Sequence, residues 1–391
     1  MTHPPPGLPE GPILLDYNAT TPVDPRVAEA ALPYLTEHFG NPSSGHAYGH
    51  AAHTAISAAR ASVAELVDAQ ADEIVFTGGG SDADTLAIRG AALAYRDLGK
   101  HIITTSTEHP AVLATCESMR RLHGFNITHL PVDADGLVDP DHLEAAFTDD
   151  TVLVSIMHAN NETGTIQPIR TLAHITHAHG ALFHTDASQT AGKIPVSVRN
   201  LHVDLLTVTG HKMYAPKGIG ALYVRAGVTL EPTVYGGGQE RGLRGGTENV
   251  ALIVALGRAT QIALDSQPAE ERRLRQLRNL LHGQLEQRLR DRVHLNGHPT
   301  MRLPNTVNVS IDDTSAADLL ASTTGIAAST GSACHEGDTQ PSPVLTAMGI
   351  TPDRAASALR LTMGRWTTPD EVNEAADLIA RAATSLTHQA A

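Results

Sequence analysis

The chain has 391 residues, 41% of them hydrophobic, 18% charged and 3% aromatic. This is material for roughly two to three domains of about 150 residues, and it excludes a disordered chain and a binder built on aromatic stacking platforms. Acidic residues outnumber basic ones by 42 to 28, a net charge of −14 that repels phosphate backbones, so no direct nucleic-acid contact is expected.

No apolar run approaches the length of a membrane span, and the opening residues lack the basic and apolar regions of a signal peptide. Cys116 and Cys334 are too few for a disulfide framework, and a reducing cytoplasm is the expected setting. Residues 1–12, rich in Pro and Gly, read as a loose lead-in. Asp24-Pro25 predicts a helix start, with Asp as cap and Pro in the first turn, running through Val27, Ala31 and Leu35 toward Gly40.

From about residue 72, short β-branched runs alternate with helical periodicity. The runs are 73–77, 101–105, 151–156, 181–183, 205–208 and 220–224, with helices predicted over 111–122 and 169–179. Such alternation predicts an α/β fold with a mostly parallel mixed sheet flanked by helices, whose ligands bind at the carboxyl ends of the strands. Over 270–292, leucines at helical spacing among seven arginines predict a solvated helix, with a basic nucleic-acid helix the weaker reading. Beyond 293 the pattern is α+β. The expected division is a large domain over 13–262 and a smaller one over 263–391, with residues 1–12 packing near the latter.

Four segments carry chemistry. Thr77–Ala83, with three glycines between a strand and a helix, predicts a phosphate cradle on a helix N-terminus. Gly78–Ala83 also fits the dinucleotide fingerprint, which makes an NAD-dependent oxidoreductase a rival. Thr207–Lys212 puts a lysine beside hydroxyl and imidazole groups at a strand end, suited to a Schiff base. His184–Gln189 puts a carboxylate, Asp186, at another strand end, where it can pair with a pyridinium nitrogen. Ser329–Gly337 holds Cys334 among small residues beside His335, unlike Cys116, which lies among apolar residues in a helix and belongs to the core. The histidines at 46, 50 and 53 and at 174, 177 and 179 read as solvent-facing, and no metal is expected.

Together these segments resemble the NifS/IscS cysteine desulfurases, pyridoxal-phosphate (PLP) enzymes of fold type I with the class V aminotransferase fold. The resemblance runs from Leu15–Pro22 to Arg360. It takes in Phe39–Ser44, Thr105–His109, His158–Gly164, Asp186–Gln189, Thr209–Lys212, Arg241–Thr247 and Gly331–Cys334 followed by Pro341-Ser342. It implies that Lys212 carries the cofactor and moves the substrate's α-proton, and that Asp186 pairs with the pyridine N–H. It implies that His109 stacks on the ring and carries protons, and that Asn160 and Gln189 contact the phenolic oxygen. Gly80, Ser81, Thr209 and His211 would bind the phosphate, Thr247 would reach in from a second subunit of a homodimer, and Arg360 and Asn41 would orient the substrate.

L-cysteine would be converted to L-alanine, its sulfur passing to Cys334 as a persulfide for a sulfur-acceptor protein in iron–sulfur assembly, tRNA thiolation or DNA phosphorothioation. A selenocysteine lyase resembles the same motifs, and a docking platform that has kept only the fold is the non-enzymatic alternative. The chain departs from the family at Gly78–Asp82, where Ser, Thr and Glu are usual, and at Thr85, where Asn is common.

Overall fold

The structure, a computed structural model, describes residues 3–330 and 341–390. Its twelve strands in chain order are β1 (Ile13–Leu14), β2 (Ile74–Thr77), β3 (His101–Thr105), β4 (Asn126–Leu130), β5 (Thr151–Ser155), β6 (Leu182–Asp186), β7 (Leu205–Thr209), β8 (Gly220–Val224), β9 (Val293–Leu295), β10 (Thr306–Ile311), β11 (Ile326–Ala327) and β12 (Ala358–Thr362). Seven form one sheet in the order β2-β8-β7-β6-β5-β3-β4. Only β8 runs antiparallel to its neighbours; the other adjacent pairs are parallel.

Strands β2, β3, β5, β7 and β8 are buried at every position, as their β-branched, apolar and threonine content demands under helices on both faces. One core cluster includes Ile103, Val154, Phe183 and Leu206; the opposite one includes Val75, Ile102, Leu153 and Leu205. Each fully buried side chain of this kind contributes about 1.5–3 kcal/mol. Alternation along β3, β5 and β7 sends successive residues to the two clusters, so strand register and core composition are one constraint.

A second core forms around the antiparallel sheet β12-β10-β9, with Val307, Val309, Leu359 and Leu361 packed against the closing helix Pro369–Ala390. The Val250–Leu289 helix serves both cores. Ile253, Leu256 and Ile262 belong to the first and Leu274, Leu281 and Leu285 to the second, with Pro268 between them. The sequence pattern placed a helix only from 270, because Pro268 punctuates the periodicity. Its arginines are also less solvated than expected. Arg273 donates to the carbonyls of Gly364, Arg365 and Thr367, and the buried Arg278 donates to that of Leu303.

We propose that the chain divides within this helix. The expected grouping changes at one place: Ile13–Leu14 pair in parallel with Ile326–Ala327, and Leu15 lies in the second core, so the first strand packs with the smaller unit. Among the described residues no helix is long and apolar enough to cross a membrane.

Asp24 clamps the two units together. It is fully buried, caps the Pro25–Ala31 helix, takes two bonds from the Arg26 guanidinium, and accepts from Arg365 Nη1 at 2.5 Å. Arg365 lies over the Tyr214 ring, 4.0 Å from its centroid. Burial alone would raise the Asp24 carboxyl, but the two guanidinium groups outweigh it and hold the pKa at about 2. Asp24→Ala should therefore cost about 3 kcal/mol in urea unfolding at pH 7, because it strands a largely buried guanidinium. The lowered pKa makes this contribution full above about pH 4 and lost as pH falls through 2, so the gap between variant and parent should narrow over that window. A gap that does not change with pH would refute the clamp.

Candidate active site

The carboxyl ends of β2, β3, β5, β6 and β7 converge on a cavity of about 260 Å³, near the lower end of small-molecule sites. Its wall includes Gly80, Ser81, His109, Asp186, Gln189, Thr209, His211, Lys212 and Arg360, nine of the residues expected from sequence. Lys212 follows β7 in a short 3-10 turn. Its Nζ donates to the backbone carbonyls of Asn18 at 2.5 Å and Ala19 at 2.7 Å. These carbonyl acceptors hold the amine in place, and its nitrogen is a competent nucleophile once a proton is lost.

One end of the cavity is shaped for an anion. Gly79, at φ +141°, turns the chain into the Gly80–Ala94 helix, and a Cβ on Gly80 would lie 2.2 Å from Thr209 Oγ1. Only glycine brings this helix N-terminus so close to the end of β7. The Ser188 and Thr209 hydroxyls bond at 2.6 Å, and Ser81 opens the same wall. Asp82 accepts from the Gly78 N–H at 2.7 Å and pairs with Arg244, so the shorter carboxylate still closes the loop. Burial, then the Lys212 and Lys217 charges, lower His211 to about 4, leaving it neutral at pH 7.

The floor is acidic. Asp186 ends β6, and its Oδ1 accepts from the Ser188 N–H at 2.8 Å, while no partner engages its Oδ2 among the described residues. Two further carboxylates lie near it. Burial pushes Glu108 up to about 8, against the Met157 N–H that its Oε1 accepts at 2.8 Å. Burial and then the Asp186 charge push Asp84 well above the carboxylate range, and its Oδ1 lies 3.8 Å from His184 Nε2. Burial thus disfavours charge on both Glu108 and Asp84, the two carboxyl groups that lie nearest Asp186. His109 caps the Pro110–His123 helix, its Nδ1 accepting from the Ala111 N–H at 3.1 Å. That bond puts the ring hydrogen on Nε2, so taking up a further proton requires Nδ1 to let go of the helix.

Three expected residues are not in this wall. Asn160 is buried with its Oδ1 spent on the Glu162 and Thr163 N–H groups, and its neighbour Asn161 lines the cavity instead. Asn41 is exposed and accepts from the Ser43 N–H; Thr247 is exposed. Cys334, with His335, lies outside the described residues. Arg360 is buried, pairs with Asp16 at 2.8 Å, and has no partner on Nε among the described residues.

Sequence reading missed Asn18, Asp84, Met157 and Lys193, none of which belongs to a motif with a mechanism of its own. The histidine clusters find ordinary partners: His46 caps a helix, His177 bonds Asp204, and His179 bonds Glu144. The dinucleotide reading of Gly78–Ala83 fails on topology. β2 is an edge strand whose only neighbour, β8, is antiparallel, so no adjacent parallel pair forms a βαβ unit there.

The donor set fits PLP: an anion cradle that a Cβ would fill, a lysine amine, and at the floor a carboxylate oxygen with no partner among the described residues. Those features match the functional groups of one molecule, a phosphate, an aldehyde and a pyridinium.

Glu108 yields a test of the acidic floor. Its pKa, raised from 4.5 to about 8, means that the folded state holds a proton the unfolded state gives up, so stability falls as pH rises between those values. Glu108→Gln is neutral in both states. In urea unfolding its stability relative to the parent should rise from pH 5 to 8 by up to about 1.4 kcal/mol per unit, then level off. A flat difference would show that Glu108 is ionised in the fold.

Residues 13–374 match the Aminotransferase class-V family. An IscS cysteine desulfurase of Dictyoglomus turgidum is 46% identical over 371 residues, 94% of each chain. A solved NifS-like protein superposes with a TM-score of 0.89 at 35% identity, over 96% of this chain and 100% of its own. SspA, solved in complex with cysteine, superposes with a TM-score of 0.79 at 36% identity, over 91% and 99%. With the fold, the lysine turn and the matched span in agreement, the chain belongs to the class-V aminotransferase family, among its IscS/NifS-type cysteine desulfurases.

Proposed function

We propose that this chain takes sulfur from L-cysteine, releases L-alanine, and holds the sulfur on Cys334 for an acceptor protein. The observation that carries the reading is the convergence of Lys212, Asp186, His109 and Arg360 on one cavity, in a chain similar to cysteine desulfurases over 94% of its length. SspA, a similar protein, is solved with cysteine bound, which supports the substrate. The cofactor is PLP, which when bound draws electrons from the substrate's α-carbon.

The protein supplies position and protons. Ser81, Thr209 and the first turn of the Gly80–Ala94 helix hold the phosphate, with neutral His211 beside them. Asp186 would pair with the pyridine nitrogen of the bound cofactor and favour its protonated form. Arg360 binds the substrate carboxylate, which joins Asp16 as an anion at the guanidinium. Lys212 Nζ takes the α-proton and returns it. His109 carries the thiol proton at Nδ1 once that atom leaves the Ala111 N–H. Burial lowers its basicity, so the proton is readily handed on.

Thr247 reaches a second copy of the chain in a homodimer, an arrangement that the exposed apolar side chains of Leu32, Leu35, Phe39 and Tyr48 favour. The setting is the cytoplasm, and the final acceptor is a protein of iron–sulfur assembly, tRNA thiolation or DNA phosphorothioation.

The test is alanine release from L-cysteine by protein supplied with PLP and a thiol reductant. Alanine matched by sulfide is expected, whereas a PLP-loaded protein that releases none would overturn the substrate. Lys212→Ala should lower turnover by about 10³-fold or more and abolish the protein's visible absorption. Cys334→Ser should abolish persulfide formation and leave that absorption unchanged; persulfide on the variant would remove Cys334 from the reaction.

A further inference from the structure

Lys193 lies in the turn that follows β6 and Gln189. Its Nζ donates to Gln189 Oε1 at 2.7 Å and approaches Asn18 Oδ1 at 3.4 Å. The other end of the same amide, Gln189 Nε2, donates to the Asn18 carbonyl at 3.0 Å. That carbonyl also accepts from Lys212 Nζ. A continuous chain therefore joins the two lysines through one side-chain amide and one backbone oxygen.

An amide can bind in two orientations that differ only by exchange of oxygen and nitrogen. Here the flipped orientation would set the NH₂ against the Lys193 amine and Oε1 against the Asn18 carbonyl. Both contacts would then be repulsive, donor on donor and acceptor on acceptor. Burial, then the Lys212 and Arg360 charges, push Lys193 down to about 7. A lysine donates a hydrogen in either protonation state, so its hold on Oε1 does not depend on titration.

We propose that Lys193 is a positioning residue that acts through Gln189, fixing the amide with its nitrogen toward Asn18 and Lys212 and so offering the cofactor a donor. This rests on the reading of the cavity as a PLP site. Without Lys193 the amide loses the partner that forbids the flip, and Gln189 spends part of its time presenting an acceptor to an anionic oxygen.

A double-mutant cycle over Lys193→Met and Gln189→Ala decides it, read first from the PLP dissociation constant of cofactor-free protein, followed by visible absorption, and second from kcat/KM for alanine release. Lys193→Met alone should weaken PLP binding about 5–10-fold and shift the visible band. On the Gln189→Ala background the same change should cost less than about twofold. Lys193→Arg, which keeps a cationic donor, should recover much of the loss. Independent, additive losses would overturn the proposal. If Lys193→Met does not fold, Lys193→Gln takes its place in the cycle, with additivity again the refuting result. Parent protein that binds PLP but yields no alanine would count against the desulfurase reading alone, because the binding arm would still decide the role of Lys193. Parent protein that binds no PLP would overturn both.

Discussion

Asn18 has to satisfy both halves of the molecule at once. Its backbone N–H donates to Thr362 Oγ1 on β12 and its side-chain amide to Thr306 Oγ1 on β10, while Oδ1 accepts from Asn305. These bonds belong to the smaller unit. Its carbonyl meanwhile holds Lys212 and Gln189, which belong to the large sheet. A shift of the small sheet against the large one is therefore felt first at the lysine amine. Asp24, four bonds strong and also bridging the units, limits how far such a shift can go.

The electrostatics of the cavity follow from burial as much as from residue type. Three carboxylates and several imidazoles crowd one small volume, an arrangement that would be ruinous if all were charged. Burial settles it by disfavouring charge: it raises Glu108 and Asp84 and lowers His158, His184 and His211. The wall of the cavity presents Asp186 together with Lys212 and Arg360. A zwitterionic ligand with a protonated ring nitrogen and an anionic carboxylate matches that polarity along the depth of the site.

Much of this was legible in the residues. Strand-end positions located Asp186, Thr209 and Lys212, because a parallel sheet aims its carboxyl ends at one edge whatever the side chains are. The glycine run marked the anion cradle for the same kind of reason, since close approach of a helix to a strand end leaves glycine no substitute at position 80. Strand β4 was missed because its exposed and half-buried edge lacks a continuous apolar run. Asn18 and Lys193 escaped because their roles exist only once distant segments meet. The resemblance named Asn160, whose bonds to the Glu162 and Thr163 N–H groups appear only once the turn has folded.

The pairing of β1 with β11 has a consequence for how the chain is made. Residues 13–15 leave the ribosome before the large sheet, yet the surface they cover is not complete until β11, β12 and the helix Pro369–Ala390 have been synthesised. The large sheet between them can fold as a unit during elongation. The opening segment must stay extended throughout, and Asn18 reaches its partners on β10 and β12 only when the last third of the chain has emerged. The geometry around Lys212 is thus assembled after the large core, and a nascent chain that has folded that core remains catalytically silent until β10 and β12 have been made.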